Sequence, residues 1–124
     1  MKPGHTGFVR LIHSTRYSWQ GFLAGWRHEA AFRLEIVLAV VLFPISFWLG
    51  RSFVEWLLLV GSALIVLAVE LVNSAIESIV DRIGSEHHEL SGRAKDMGSA
   101  AVLMSAFFAG LVWGGLLLQR LGVI

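Results

Sequence analysis

EWLLLVGSALIVLAVELVNSAIESIVDR, the stretch from Glu55 to Arg82, decides the fold. Its first part, Trp56–Val69, carries no charge but is too short to cross a bilayer, which needs about 20 helical residues. It reaches spanning length only if the helix continues through LVNSAIESIV to Val80. That continuation puts Glu70, Asn73 and Glu77 at or near membrane depth. A helix turns about 100° per residue, so Glu77 falls within about 20° of Glu70 and about 10.5 Å along the axis. Asp81 returns to the same line, and Asn73 and Ser74 flank it at i+3 and i+4. The opposite face, with Leu71, Val72, Ile76 and Ile79, is apolar. Each carboxylate within a span costs about 2.5–3.5 kcal/mol on insertion scales. A stripe of them therefore predicts a polar cleft, a bound cation or a proton relay. The plainer alternative is a set of hydrogen bonds that fix helix packing, which suits one such residue better than several in register.

Two further charge-free runs flank this helix. Ile36–Gly50 (IVLAVVLFPISFWLG) lies between Glu35 and Arg51, and Met97–Gln119 lies between Asp96 and Arg120. The third run alone is long enough to span. The first can be lengthened backwards through Ala30–Phe32, and Pro44 is expected to kink it without forbidding it. The reading is an all-α membrane protein with spans at 35–50, 56–80 and 97–119. Residues 1–34 form a surface arm, in which Phe8, Leu11, Ile12, Trp19, Phe22, Leu23 and Trp26 alternate with Arg10, Arg16 and Arg27, as in a helix lying in the headgroup plane. Lys2, Arg10, Arg16, Arg27, Arg33, Arg82, Arg93 and Lys95 fall on one side of the three spans, and Arg51 and Arg120 on the other. The positive-inside rule then puts the N-terminus and the 81–96 connector in the cytoplasm and the C-terminus outside.

Composition agrees with a membrane protein. The 124 residues are 56% hydrophobic and 15% charged, against about 45–50% and about 25% for soluble domains. Disorder is excluded by the same numbers. A net charge of +1 gives no footprint for nucleic acid, and none is expected as a partner. Without cysteine there is no thiolate nucleophile and no Cys-ligated metal.

The connector, RIGSEHHELSGRAKD from Arg82 to Asp96, brings cations and carboxylates to the cytoplasmic end of the stripe. Such a mixture suits a nucleotide polyphosphate with Mg²⁺, although it also describes a solvated charged loop. No GxxxxGK[ST] sequence is present, so a nucleotide site here is not a P-loop. Ala94, Gly98, Ala101 and Ser105 form a face of small residues suited to close helix packing.

With these residues in hand, the chain resembles the prokaryotic diacylglycerol kinases, small integral-membrane lipid kinases. The match runs through GF–R at Gly7–Arg10, YSW at Tyr17–Trp19, EAAFR–E at Glu29–Glu35, E–NSAIE–DR at Glu70–Arg82 and GSEHHELSGRAKDMGSAAV at Gly84–Val102. The resemblance implies a homotrimeric bundle in the cytoplasmic (inner) membrane, with three transmembrane helices and a surface helix per protomer and with shared active sites. It implies transfer of the γ-phosphate of MgATP to diacylglycerol. Glu70 is then the general base, and Glu29 and Glu77 the metal- and ATP-binding pair. Arg10, Tyr17, Glu86, His87, His88, Lys95 and Asp96 match nucleotide-contacting positions. Ser14, Trp19, Arg33, Glu35, Trp48, Ser99 and Trp113, with Glu70, match the lipid site, and Asn73 and Asp81 organise it. The chain departs from the family pattern at Arg16, Gln20, Leu23 and Leu34, all in the lipid-facing arm, so the departures bear on acyl-chain and headgroup preference more than on the chemistry. The alternatives are an undecaprenol kinase with the same chemistry and, from a different class, a small proton-coupled exporter using Glu70.

Overall fold

The computed structural model describes residues 6–84 and 86–124 of the chain. Lys2, counted above for topology, lies outside them, as does Ser85. Among the described residues four helices follow one another: α1 Gly7–His28, α2 Ala30–Leu49, α3 Phe53–Ile83 and α4 Glu89–Arg120. The described residues contain no strand. The helices α2, α3 and α4 are long and apolar enough to cross a membrane. At about 1.5 Å per residue, α3 and α4 exceed the roughly 30 Å hydrocarbon layer. Each therefore projects a polar end beyond it.

Helix boundaries differ from the charge-free runs in an informative way. The helix containing the first span begins at Ala30 rather than at 35, and α4 begins at Glu89, well inside the charged connector. Only a short turn separates α3 from α4. His88 caps α4, its Nδ1 accepting from Leu90 N–H at 3.0 Å. Pro44 sits within α2 and the helix continues through it.

The break between α1 and α2 is a single residue, Glu29, with φ −119° and ψ 104°. Neither Gly nor Pro marks it. Arg33 accounts for the break: its guanidinium donates to Trp26 O at 2.8 Å and to Arg27 O at 3.3 Å. A cation thus covers carbonyls left orphaned at the end of α1. Gly25 permits the approach of three helices at this point. A Cβ there would stand 2.9 Å from both Leu71 Cδ2 and Phe32 Cδ2.

At the other end, Ser52 Oγ accepts from Glu55 N–H at 3.1 Å, and Glu55 Oε1 accepts from Arg51 N–H at 2.9 Å. These two bonds start α3 in the manner of a capping box. The end of α4 closes on Gly122 at φ 78°, with Gly122 N–H to Gln119 O and Val123 N–H to Leu118 O at 2.9 Å. This Schellman arrangement needs the left-handed residue that glycine supplies.

The bundle is held mainly by α3 against α4, with α2 against α3 next. Leu59 of α3 is fully buried, and its carbonyl accepts from Trp113 Nε1 of α4 at 3.1 Å. Of the predicted small face on α4, Gly98 and Ser105 are buried against the bundle, whereas Ala101 is exposed. Between α2 and α3, Ser46 is 0% exposed. Its Oγ accepts from Trp56 Nε1 at 3.1 Å and donates to Phe43 O at 2.5 Å. Ser46→Ala strands the indole N–H and is expected to lower stability by roughly 1–3 kcal/mol. Trp56→Phe leaves Ser46 its bond to Phe43 O, so its hydrogen-bond loss is smaller, about 1 kcal/mol. Unfolding of the detergent-solubilised protein in SDS reads both, and equal losses from lost hydrogen bonding would refute this ordering.

Candidate active site

Glu70 is 8% exposed, and Ser74, one turn further along α3, is buried with it. Electrostatically, Glu70 lies within reach of Glu77 on its own helix and of Glu29 at the α1–α2 break. Glu35 of α2 lies within reach of Glu70 in turn. Carboxylates from α2, α3 and the α1–α2 junction thus gather at one end of the bundle, with Glu77 about two turns beyond Glu70 along α3. The local reasons are clear in the chain. Periodicity aligns Glu70 with Glu77, and the break held by Arg33 swings Glu29 toward α3.

Two buried oxygens in this region, Glu35 Oε2 and Asn73 Oδ1, have no hydrogen-bond partner. Asn73 Oδ1 faces Gly98 of α4 so closely that a Cβ on Gly98 would collide with it. Beside the carboxylates, a groove of about 480 Å³ opens between α1 and α3, lined in part by Ser18, Gly21, Gly25, Glu29, Ser74 and Ser78. Ser18, Gly21 and Ser78 were not among the site residues read from the sequence. The signal for two of them was present, in the small residues Ser18, Gly21 and Gly25 spaced along one face of α1.

Asp81 leaves the buried part of the stripe. It is exposed and pairs with Lys95 Nζ at 2.8 Å. This ion pair joins the projecting end of α3 to the first turns of α4. Glu86 and His87 lie in the short turn beside it, and Asp96 lines a groove with His87 and Arg93. His88 is engaged in capping. Arg10 and Ser14 are exposed on α1, and Tyr17 stacks on His13 with ring centroids 6.1 Å apart. Trp19 and Ser99 are exposed.

The residues matched to a lipid site divide between the two ends of the bundle. Arg33, Glu35, Glu70 and Ser99 lie toward the acidic end. Trp48 and Trp113 do not: Trp48 is thirteen residues beyond Glu35 on α2, about 20 Å along its axis. Arg33 also has a structural task, in closing α1.

Hard carboxylate oxygens in this number suit Mg²⁺ or a similar cation. Among the described residues, no three His, Asp or Glu side chains converge closely enough to hold an ion unaided. That donor set fits an ion carried partly by phosphate oxygens and water, the usual habit of Mg²⁺.

Fold and cluster together define a small helical membrane protein with one buried and three half-buried carboxylates at one end of its bundle and an ion-paired polar rim above them. Within that class the chain belongs to the prokaryotic diacylglycerol kinase family, whose family model matches residues 16–117. It is 53% identical to the diacylglycerol kinase of Haemophilus influenzae, over 90% of this chain and 95% of that protein. It is 51% identical to that of Escherichia coli K12, over 98% of this chain and 100% of that protein. With the Pseudomonas aeruginosa diacylglycerol kinase the identity is 48%, over 93% and 94% of the two chains. The protein is therefore an enzyme of the kinase class.

Proposed function

We propose that this protein transfers the γ-phosphoryl group of MgATP to the free hydroxyl of diacylglycerol, giving phosphatidic acid, at the cytoplasmic face of the inner membrane. The observation that carries the reading is the buried Glu70, one rung of a carboxylate ladder that ends in water-exposed Asp81. Counted from Phe53, an apolar layer of about 30 Å ends near Val72. Glu70 then stands just inside the hydrocarbon, and Glu77 and Asp81 stand beyond it. A bilayer-bound alcohol and a water-borne nucleotide meet between those levels.

Phosphoryl transfer asks a protein mainly for positioning and charge neutralisation. Glu70 takes the proton of the attacking hydroxyl as its oxygen bonds to the γ-phosphorus and the bond to ADP breaks. Glu29 and Glu77 would hold Mg²⁺, whose charge would offset that of the phosphates. Lys95 and the residues of the α3–α4 turn face the nucleotide. Asn73 orders the space between α3 and α4. The groove of small residues between α1 and α3 admits the glycerol end of the acceptor.

The arm completes the arrangement. No acidic residue interrupts Gly7–His28, and Phe8, Leu11, Ile12, Trp19 and Phe22 are exposed beside Arg10, Arg16 and Arg27. Such a helix lies in the headgroup plane of the cytoplasmic leaflet. Large apolar surfaces on all three spans are uncovered by the single chain. A homotrimer with sites shared between protomers covers part of them.

Purified protein given radiolabelled MgATP and either diacylglycerol or undecaprenol tests the proposal. Labelled phosphatidic acid is the expected product. Product from undecaprenol alone assigns the enzyme to the polyprenol acceptor, and no ATP turnover with either alcohol removes the kinase assignment of this site.

A further inference from the structure

Arg51 and Arg120 both lie at the end of the bundle remote from the acidic cluster. There α2 ends, α3 begins and α4 ends. Arg51 Nη2 donates to Gln119 O at a long 3.4 Å. The Arg120 guanidinium carbon lies 5.0 Å from the centroid of the Trp48 ring. A guanidinium carries five N–H donors in a planar fork, and stacking on a ring occupies its face rather than that edge. Glu55, the acid of this corner, is engaged with the backbone N–H of Arg51.

Beside Arg51 opens a groove of about 440 Å³, lined by Phe47, Gly50, Arg51, Ser52, Phe53 and Trp56. Its aromatic wall is continuous, with Phe47 and Trp56 centroids 5.5 Å apart and Phe53 and Trp56 centroids 6.1 Å apart. The corner is thus cationic at its rim and aromatic beneath. Ser52, the N-cap of α3, precedes Glu70 by eighteen residues, about 27 Å along the axis, so this groove is separate from the site of phosphoryl transfer.

We propose that this corner holds one anionic phospholipid of the leaflet remote from the acidic cluster, with its phosphate between Arg51 and Arg120 and an acyl chain along Phe47, Phe53 and Trp56. Arginine forks match phosphate oxygens. Aromatic side chains concentrate at both membrane–water interfaces, the depth at which headgroup phosphates stand. The wall below the cations selects a lipid over a free anion, because an aromatic groove accommodates a chain and offers an inorganic ion nothing. The bound lipid ties the α2–α3 turn to the end of α4 and takes no part as acceptor.

The test uses the full chain in phosphatidylcholine vesicles doped with a phosphatidylglycerol bearing a photoactivatable headgroup, with crosslinks mapped by peptide. Crosslinks are expected within residues 47–56 and at the end of α4. In Arg51→Gln/Arg120→Gln their yield falls at least tenfold, since even one lost charge-assisted contact is on that scale and two are removed. Crosslinks to the arginines of α1 stay constant and serve as the internal reference. Arg51→Lys/Arg120→Lys retains most of the labelling. An unchanged yield in the glutamine variant overturns the proposal, as does equal labelling of this segment by a phosphatidylcholine with the same photogroup. If circular dichroism shows that the glutamine variant is unfolded, the lysine variant decides: retained labelling supports the site, and lost labelling with an intact helix signal refutes it.

Discussion

Glu70→Gln is expected to lower turnover with diacylglycerol by about 10²-fold or more, the range general-base catalysis supplies, while leaving the protein as stable as before. The two side chains have nearly the same volume, so the packing around α3 is kept. Gln cannot take a proton, so the hydroxyl loses its base. The substitution also removes one negative charge from a group that includes Glu29, Glu35 and Glu77. Like charges in a poorly solvated place repel, so SDS unfolding should show stability unchanged or raised. These opposite signs separate catalysis from scaffolding. A purely structural Glu70 would show the reverse pattern, lowered stability with normal turnover in the folded fraction. Glu70→Asp retains the proton acceptor but withdraws it by one methylene, and is expected to fall between Gln and the parent. The KM for MgATP should move little in either variant, because the nucleotide is assigned to Glu29, Glu77 and the α3–α4 turn. Wild-type kcat in Glu70→Gln would remove the base assignment.

Much of this architecture was legible because charge is expensive in hydrocarbon. Runs without charge had to be spans or their cores, and the three apolar helices contain them. The extension of the second run through Glu70 to Val80 also followed from length alone. Periodicity gave the alignment of Glu70, Asn73, Glu77 and Asp81, since it is a property of one helix.

Less legible was everything that depends on two helices meeting. The stripe aligned Asp81 with Glu70 at the start of the connector but could not name its partner, Lys95 of α4, which meets it in the open. At Glu29 neither Gly nor Pro marks a helix end, and the basic pair Arg27 and His28 is only a weak signal of one. Arg33, four residues downstream, makes that end by turning back to the carbonyls of α1. Glu89–Asp96 read as a loop because they are charged, yet beyond the membrane a charged segment is free to be helical, and His88 supplies the cap. Hydropathy reports where a helix cannot leave the apolar layer; it does not report where the helix stops.

Gly98→Leu is expected to disrupt the protein, whereas Gly98→Ala is expected to leave it folded and slow. Gly98 is buried at the α3–α4 contact, the most extensive in the bundle. A Cβ added there collides with Asn73 Oδ1 and comes within 3.8 Å of Ile76 Cδ1. For alanine two stability effects oppose each other. Replacing a helix-interior glycine gains about 1 kcal/mol, and displacing the end of one Asn side chain costs a similar amount or less. The net shift in SDS unfolding should be within about 1 kcal/mol of zero. Turnover should still drop by tenfold or more, because displacement of a positioning group by about 1 Å costs up to 10²-fold. For leucine the added volume cannot be absorbed by one rotamer. Overpacking costs about 1–3 kcal/mol in a tight contact, and separating α3 from α4 also strains the Trp113–Leu59 and Lys95–Asp81 links. Asn73→Ser in the Gly98→Ala background removes the collision without restoring the amide. It should therefore leave stability intact and turnover low, separating the space Gly98 provides from the position it gives Asn73. If Gly98→Ala turns over like the parent, Asn73 does not need the place that Gly98 leaves for it.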